Sequence, residues 1–62
     1  MFNYEIEYVN RYGHVVYSFT CECKTDKQAI TKAKKVKQEK MLYPETSWIE
    51  IICFDTGKRI YA

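Results

Sequence analysis

The first third of the chain alternates apolar and polar residues, and this alternation predicts a β-hairpin. A period of two is typical of strands that turn one face to a core. In residues 2–9 the apolar positions are even-numbered, namely Phe2, Tyr4, Ile6 and Tyr8. In residues 14–23 they are odd-numbered, namely Val15, Tyr17, Phe19, Cys21 and Cys23. Gly13 lies between the two segments and can take the positive φ that a tight turn requires. We therefore predict two antiparallel strands, each with this apolar set on the core side.

Residues 26–41 change to a helical spacing of apolar residues. Thr25 is a suitable N-cap, and Asp26 stands in the first turn, where the helix dipole favours a negative charge. The apolar positions that recur at helical spacing are Ala29, Ile30, Ala33, Val36 and Met41. Pro44 marks the end, because the residue before a proline avoids the α region. The segment is predicted to form one helix whose narrow apolar stripe packs on a sheet.

The last part of the chain predicts a second pair of strands. Residues 47–54 are rich in apolar and β-branched side chains, and Gly57 follows in a short turn before residues 58–61. A strand that follows the helix runs antiparallel to the first strand and can lie beside it. The sequence thus predicts one α+β domain over residues 1–62 with the layout β-β-α-β-β. Its four-stranded antiparallel sheet has the order 2-1-3-4, and the single helix packs on one face.

The cysteines and the lack of long apolar segments indicate a cytoplasmic protein. Three cysteines are an odd number, and Cys21 and Cys23 point to the same side of one strand, where they do not bridge readily. The chain starts without the basic and apolar regions of a secretory signal. No apolar run approaches the ~20 residues of a membrane span. We therefore expect no disulfide, no membrane contact and a cytoplasmic location.

No residue pattern predicts an enzyme or a cofactor. A structural zinc site needs four converging ligands, usually with a Cys-x₂₋₄-Cys spacing. Here the spacing is Cys-x-Cys, and His14 has the opposite strand parity. The chain has no Gly-x-Ser-x-Gly elbow. Glu5 and Glu7 share a strand face, but an open face does not give paired carboxylates the different environments that acid–base catalysis needs. We expect no catalytic residue, no metal, no cofactor and no small-molecule substrate.

The sheet face that points away from the helix, called the outer face below, is unusually apolar. If Ile49, Ile51 and Cys53 face the helix, the even positions of that strand face outward. The apolar residues expected on the outer face are Trp48, Ile52, Phe54, Tyr61, Val9 and Val16. One-sided antiparallel sheets normally carry polar residues there, and aromatic patches are typical of interfaces. The acidic residues expected to border this patch are Glu5, Glu7, Glu22 and Glu50. The pattern predicts a surface that binds a basic protein partner, a homodimer contact, or an apolar surface of a central third strand that the C-terminus covers.

Charge is distributed unevenly along the chain. Residues 24–40 hold seven lysines and two acidic residues, whereas the rest holds three basic and six acidic residues. The candidates for contact with a nucleic-acid backbone are Lys24, Lys27, Lys34 and Lys35. None of the seven is an arginine, the residue most used to read base edges. Solvated lysines whose stems cover apolar surface are the other interpretation of this segment.

Four stretches of the sequence resemble small orphan proteins of phages and mobile elements. These stretches are Tyr4-Glu5-Ile6-Glu7-Tyr8, residues 25–33, Trp48-Ile49-Glu50-Ile51 and Asp55-Thr56-Gly57-Lys58. Such proteins combine a hairpin, a helix and a closing strand, and small phage inhibitors of host RNA polymerase are similar in this outline. The resemblance implies a phage-encoded accessory protein that acts on a host component in the host cytoplasm. Together with the outer face, it predicts a non-enzymatic binding protein that modulates a host protein. The alternatives are a nucleic-acid-binding domain and a homodimeric accessory protein.

Overall fold

The fold is an open four-stranded sheet with one helix, and the structure, a computed structural model, describes all 62 residues. The elements in chain order are β1 (Phe2–Val9), β2 (Val15–Cys23), α1 (Asp26–Glu39), β3 (Trp48–Cys53) and β4 (Arg59–Tyr61). All neighbouring strands are antiparallel, and their order is β2-β1-β3-β4. The predicted fold class and the predicted strand order are both confirmed.

The core lies between α1 and the inner strands β1 and β3. Its buried members are Tyr4, Ile6, Tyr8, Cys23, Ala29, Ala33, Ile49, Ile51 and Cys53. Ala29 and Ala33 are fully buried, and their small side chains let the helix approach the sheet closely. The Tyr8 hydroxyl donates to the Ala33 carbonyl oxygen at 2.6 Å, and the Tyr4 hydroxyl donates to Oδ1 of Asp26 at 2.7 Å. Two tyrosines of one strand therefore fix the helix at two points along its length.

The start of the helix agrees with its sequence signals, whereas its end differs from them. The Thr25 hydroxyl accepts a hydrogen bond from the Gln28 N–H at 3.2 Å, which confirms the predicted N-cap. The helix ends at Glu39, so the prediction that Met41 belongs to the apolar stripe is wrong. Met41 has a φ of 54° and is 68% exposed. Leu42 packs against the core instead.

A Schellman motif explains why the helix stops before Met41. The Met41 N–H donates to the Gln38 carbonyl oxygen, and the Leu42 N–H donates to that of Lys37. These two bonds satisfy helix carbonyls that would otherwise lack a partner, and they require a left-handed residue between them. Glycine, the residue that normally indicates this geometry, is absent here, so the left-handed conformation at Met41 could not be predicted from the sequence.

Replacing Met41 with glycine should stabilise the protein by roughly 0.5–1 kcal/mol. The left-handed conformation costs a non-glycine residue roughly 1–2 kcal/mol, and glycine at this position avoids that cost. The resulting gain in stability is partly offset by the extra chain entropy of glycine. The side chain is exposed, so its loss removes little packing. Urea unfolding of M41G against wild type measures the difference. M41A keeps the Cβ and should show no such gain; equal effects of the two substitutions would contradict the explanation.

A β-bulge changes the start of β2. Tyr8 lies opposite Tyr17, but Val9 lies opposite Val15, so Val16 is an extra residue on β2. The sequence pattern assumes that side chains along β2 alternate between the two faces of the sheet. The extra residue interrupts this alternation, so the part of β2 before Val16 points to the face opposite to the predicted one. The prediction that Val15 faces the core is therefore wrong, and this side chain is 48% exposed. From Tyr17 onward the odd positions of β2 lie opposite core residues of β1, as predicted.

The outer sheet face as a candidate binding site

The strand register determines how the outer face is assembled. Residues directly opposite each other in an antiparallel sheet share a face. Glu5 of β1 lies between Thr20 of β2 and Ile52 of β3, and Ile52 in turn lies opposite Arg59 of β4. The next row contains Ser18, Glu7, Glu50 and Tyr61. Val9 and Trp48 form a third pair near the β1–β2 turn. The structure thus brings together on one face most of the residues predicted for it.

The acidic residues do not form a border around this face, and that prediction is wrong. β1 is an inner strand, so Glu5 and Glu7 lie within the sheet, and Glu50 lies on the other inner strand. Only Glu22 lies on an edge strand. The face is therefore divided: Glu7 and Glu50 lie opposite each other in its middle, with Val9 and Trp48 on one side of this row and Ile52 on the other. The predicted strand order 2-1-3-4 already makes β1 and β3 inner strands, and an acidic border is incompatible with that order.

Glu50 is held by two hydrogen-bond donors. Its Oε2 accepts from Trp48 Nε1 at 3.1 Å, and its Oε1 accepts from Arg59 Nη1 at 2.7 Å. The bond from Arg59 raises the pKa of that guanidinium above its usual value. Glu7 lies directly opposite Glu50, an arrangement of like charges that is unfavourable without a nearby cation. Arg59, which sequence analysis did not assign to the face, supplies that cation; its position depends on the register of β4.

Glu5 and Glu7 have no cationic partner. The two ion pairs of the structure join Lys58 to Asp26 and Arg59 to Glu50. Both free carboxylates sit on half-buried residues of the central part of the sheet. A partner that brings lysine or arginine to these residues would find two unneutralised acids next to Ile52. The outer face therefore combines unpaired negative charge with adjacent apolar surface.

The apolar residues of the face differ strongly in exposure. Val9 is buried, and Trp48, its neighbour on β3, is half-buried. Ile52 is also half-buried. Phe54 and Tyr61 are 57% and 63% exposed, so they present most of the free aromatic surface. Phe54 lines a shallow depression with Asn3, Thr20 and Glu22, at the end of the face opposite to Trp48. Contact residues are thus better sought among the exposed aromatics than at Trp48, which also supports the fold.

The basic side of the molecule is exposed and largely unpaired. All four candidate lysines, Lys24, Lys27, Lys34 and Lys35, are exposed, and none has a carboxylate within 4 Å. On α1, Lys27 and Lys35 line one shallow depression together with Thr31, which lies one helical turn from each of them. The structure therefore presents these charges as a broad surface rather than as a single stripe.

The three cysteines of the chain are free thiols. The Sγ atoms of Cys21 and Cys23 are 3.9 Å apart, and all three cysteines are free. Burial raises the pKa of the Cys21 thiol to about 11. No three histidine, cysteine, aspartate or glutamate side chains converge as metal ligands.

Asp26, the first residue of α1, accepts hydrogen bonds from the Tyr4 hydroxyl and from Lys58 Nζ, the latter at 2.9 Å. The bond from Lys58, more than that from Tyr4, keeps the pKa of Asp26 below its usual value. The helix of this protein lacks the length and apolar character needed to cross a bilayer.

Comparison with known proteins adds no relative: no protein-family model, curated protein or solved structure matches this chain.

Proposed function

We propose that this chain is a non-enzymatic, phage-encoded binding protein that modulates a host protein in the host cytoplasm through its outer face. The observation that carries the proposal is the pair of unneutralised carboxylates, Glu5 and Glu7, in the middle of a face that also exposes Phe54 and Tyr61. Aromatic contact area with charges that steer a partner is typical of protein interfaces. The resemblance in layout to small phage proteins supports the origin.

The charge on the face favours a basic partner over a second copy. Four glutamates and one arginine lie on the outer face. Two copies that met through this face would place carboxylates opposite carboxylates, and like-charge contacts of this kind are costly. A host protein with lysines and arginines on its contact surface would instead satisfy Glu5 and Glu7. Self-association through the outer face is for this reason the less favoured alternative.

Charge reversal on the outer face should abolish capture of the partner. The variant E5K/E7K places cations where the partner's cations must dock, so capture from host lysate should fall at least ten-fold, as like charges across an interface cost several kcal/mol. Affinity purification with quantitative mass spectrometry measures the loss. K27E/K34E reverses two charges on the helix and is the matched control, which should retain capture. Equal capture by the two variants would refute a role for the outer face.

The aromatic part of the same proposal is tested with exposed residues, so that folding is not the cause of any loss. F54S/Y61S removes the two exposed aromatics of the outer face. The control Y12S/Y43S removes two exposed aromatics that lie outside it. Circular dichroism and thermal unfolding should be alike for both variants. Retained capture by F54S/Y61S would show that the partner does not bind through these rings.

Nucleic-acid binding is a second candidate function, and the observation in its favour is that the four candidate lysines are exposed and unpaired. If these four contact phosphates, affinity for a single-stranded RNA or a DNA duplex should fall roughly a hundred-fold between 50 and 200 mM salt, because each neutralised phosphate releases counterions. Fluorescence anisotropy with labelled oligonucleotides measures this. K27E/K34E should weaken binding and E5K/E7K should not. No binding at 50 mM salt would exclude the function.

A further inference from the structure

The outward edge of β2 carries backbone groups without partners. The Asn3 and Val9 carbonyl oxygens accept from the N–H groups of Phe54 and Ser47, at 2.9 and 2.8 Å. Odd residues of β1 therefore direct their backbone groups toward β3, and even residues direct theirs toward β2. The β2 residues opposite those even positions are Tyr17, Phe19 and Cys21. The alternate residues of β2 direct their N–H and C=O groups to the free edge. These residues are Ser18, Thr20 and Glu22.

This edge lacks the features that normally protect an edge strand. Native edges are shortened, charged, bulged or interrupted by proline. β2 is nine residues long and contains no proline, and its only charged residue is Glu22, near one end. Its bulge at Val16 lies at one end and leaves the stretch from Ser18 to Glu22 regular. The opposite edge, β4, has three residues and carries Arg59. β2 is thus the one long edge that another strand can extend.

On the helix side of the sheet, the side chains next to the free edge of β2 are apolar and basic. Tyr17, Phe19 and Cys21 are only half-buried there, although they pack against the core. Lys40 Nζ lies 5.3 Å from the centroid of the Tyr17 ring. The Lys32 ammonium is close enough to the Cys21 thiol to act against the rise that burial causes in its pKa. A strand added to this edge would therefore lie next to exposed apolar surface and beneath two lysines.

We propose that the free edge of β2 binds an extended acidic segment of a partner protein, which pairs antiparallel with Ser18–Glu22 and directs carboxylates toward Lys32 and Lys40. Strand addition of this kind takes affinity from main-chain hydrogen bonds and specificity from alternate side chains. A second copy of this chain fits less well, because it would place a second segment 24–40, with its seven lysines, on the same side of a shared sheet. The side chains of Ser18, Thr20 and Glu22 belong to the outer face, but the proposed pairing uses their backbone groups and lysines on the helix side of the sheet.

A designed peptide tests the edge directly. The probe is a capped peptide of sequence Thr-Glu-Thr-Val-Thr-Glu-Thr, whose glutamates and valine all point to one face of a strand. The control replaces both glutamates with lysine. Titration followed by amide chemical shifts and by hydrogen exchange should protect the N–H groups of Ser18, Thr20 and Glu22. The glutamate probe should bind about ten-fold more tightly than the lysine control, since exposed ion pairs contribute modestly.

Two variants distinguish strand addition from nonspecific attraction. T20P removes only an N–H that points to the free edge, a position at which edge strands tolerate proline, and should abolish binding. K32E/K40E should reverse the preference to the lysine peptide, whereas K27E/K34E on the other side of the helix should leave the preference for the glutamate peptide in place. Because K32E/K40E leaves the β2 backbone unchanged, it remains informative if T20P does not fold.

Three results would overturn the proposal. One is that neither peptide protects the β2 amides at millimolar concentration, and another is that both protect them equally. The third is a dimer in sedimentation of the wild-type chain that T20P converts to monomer, because the edge would then belong to a second copy. F54S/Y61S should bind the glutamate peptide normally, so failure of the outer-face function and failure of this proposal can be told apart.

Discussion

Truncation of Tyr8 to alanine should leave the chain largely unfolded at 25 °C. Tyr8 is fully buried in the middle of β1, packs against the rings of Tyr17 and Phe19, and donates to the Ala33 carbonyl oxygen. Removing a buried aromatic ring costs about 3–5 kcal/mol. The free energy of unfolding expected for a chain of this length is roughly 3–9 kcal/mol, so this single substitution removes most of it. Loss of the cooperative thermal transition in Y8A is the expected observation.

The conservative variant separates the ring from its hydroxyl. Y8F keeps the packing and loses one hydrogen bond, so its free energy of unfolding should fall by about 1 kcal/mol. Y12A is the matched control, because Tyr12 is 69% exposed and its truncation should change stability by less than about 0.5 kcal/mol. A cooperative Y8A variant within about 1 kcal/mol of wild type would mean that the helix is not anchored by this residue.

Stability should fall steeply in alkaline solution because β1 buries two phenolic hydroxyls. Burial raises the pKa of Tyr8 to about 12 and raises that of Tyr4 further, with the Tyr4 bond to Asp26 as a second cause. The folded state thus holds these protons more tightly than the unfolded state, whose tyrosines titrate near pH 10. Their contribution is fully present below pH 10 and is lost as the pH rises toward 12. Cys21, with its raised pKa, adds to the loss at slightly lower pH.

The number of protons released on unfolding measures this effect. Between pH 10 and 12 the slope of unfolding free energy with pH should approach two tyrosine protons in wild type, and Y8F should lose one of them. Y43F, which changes an exposed tyrosine, should retain the full slope. A wild-type slope no larger than that of Y8F would show that Tyr8 ionises freely in the folded state. C21S isolates the contribution of the thiol.

Sequence analysis predicted the layout of this fold because most of its local signals agree with one another. The alternation in β1, the Thr25 cap and the alanines of α1 each specify one element, and a strand that follows the helix has a free neighbour in β1. The two errors occur where a local signal is weak. Val15 was assigned by a period that one inserted residue interrupts, and Met41 takes a left-handed conformation that normally calls for glycine.

The candidate site was predicted in composition but not in arrangement. Parity along β3 is sufficient to place Trp48 and Ile52 on the outer face, because alternate residues of a strand point to opposite sides. The border prediction rests on parity alone and is inconsistent with the predicted order 2-1-3-4, which makes β1, the strand of Glu5 and Glu7, an inner strand. The role of Arg59 depends on its pairing with Ile52 in the register of a three-residue strand. The free edge of β2 likewise emerges only when the strand order and the backbone hydrogen bonds are known.

The central position of β1 also determines how the chain can fold. β1 is the first strand in the sequence, but its second neighbour, β3, lies about 40 residues further on. The β1–β2 hairpin can form early, yet an isolated hairpin is at best marginally stable in water. Pairing of β3 with β1 closes the longest loop in the sheet, and contacts of this separation are slow to form. We therefore expect the pairing of residues 48–53 with β1 to be the slow step of folding. Before that step, β1 has β2 as its only strand neighbour.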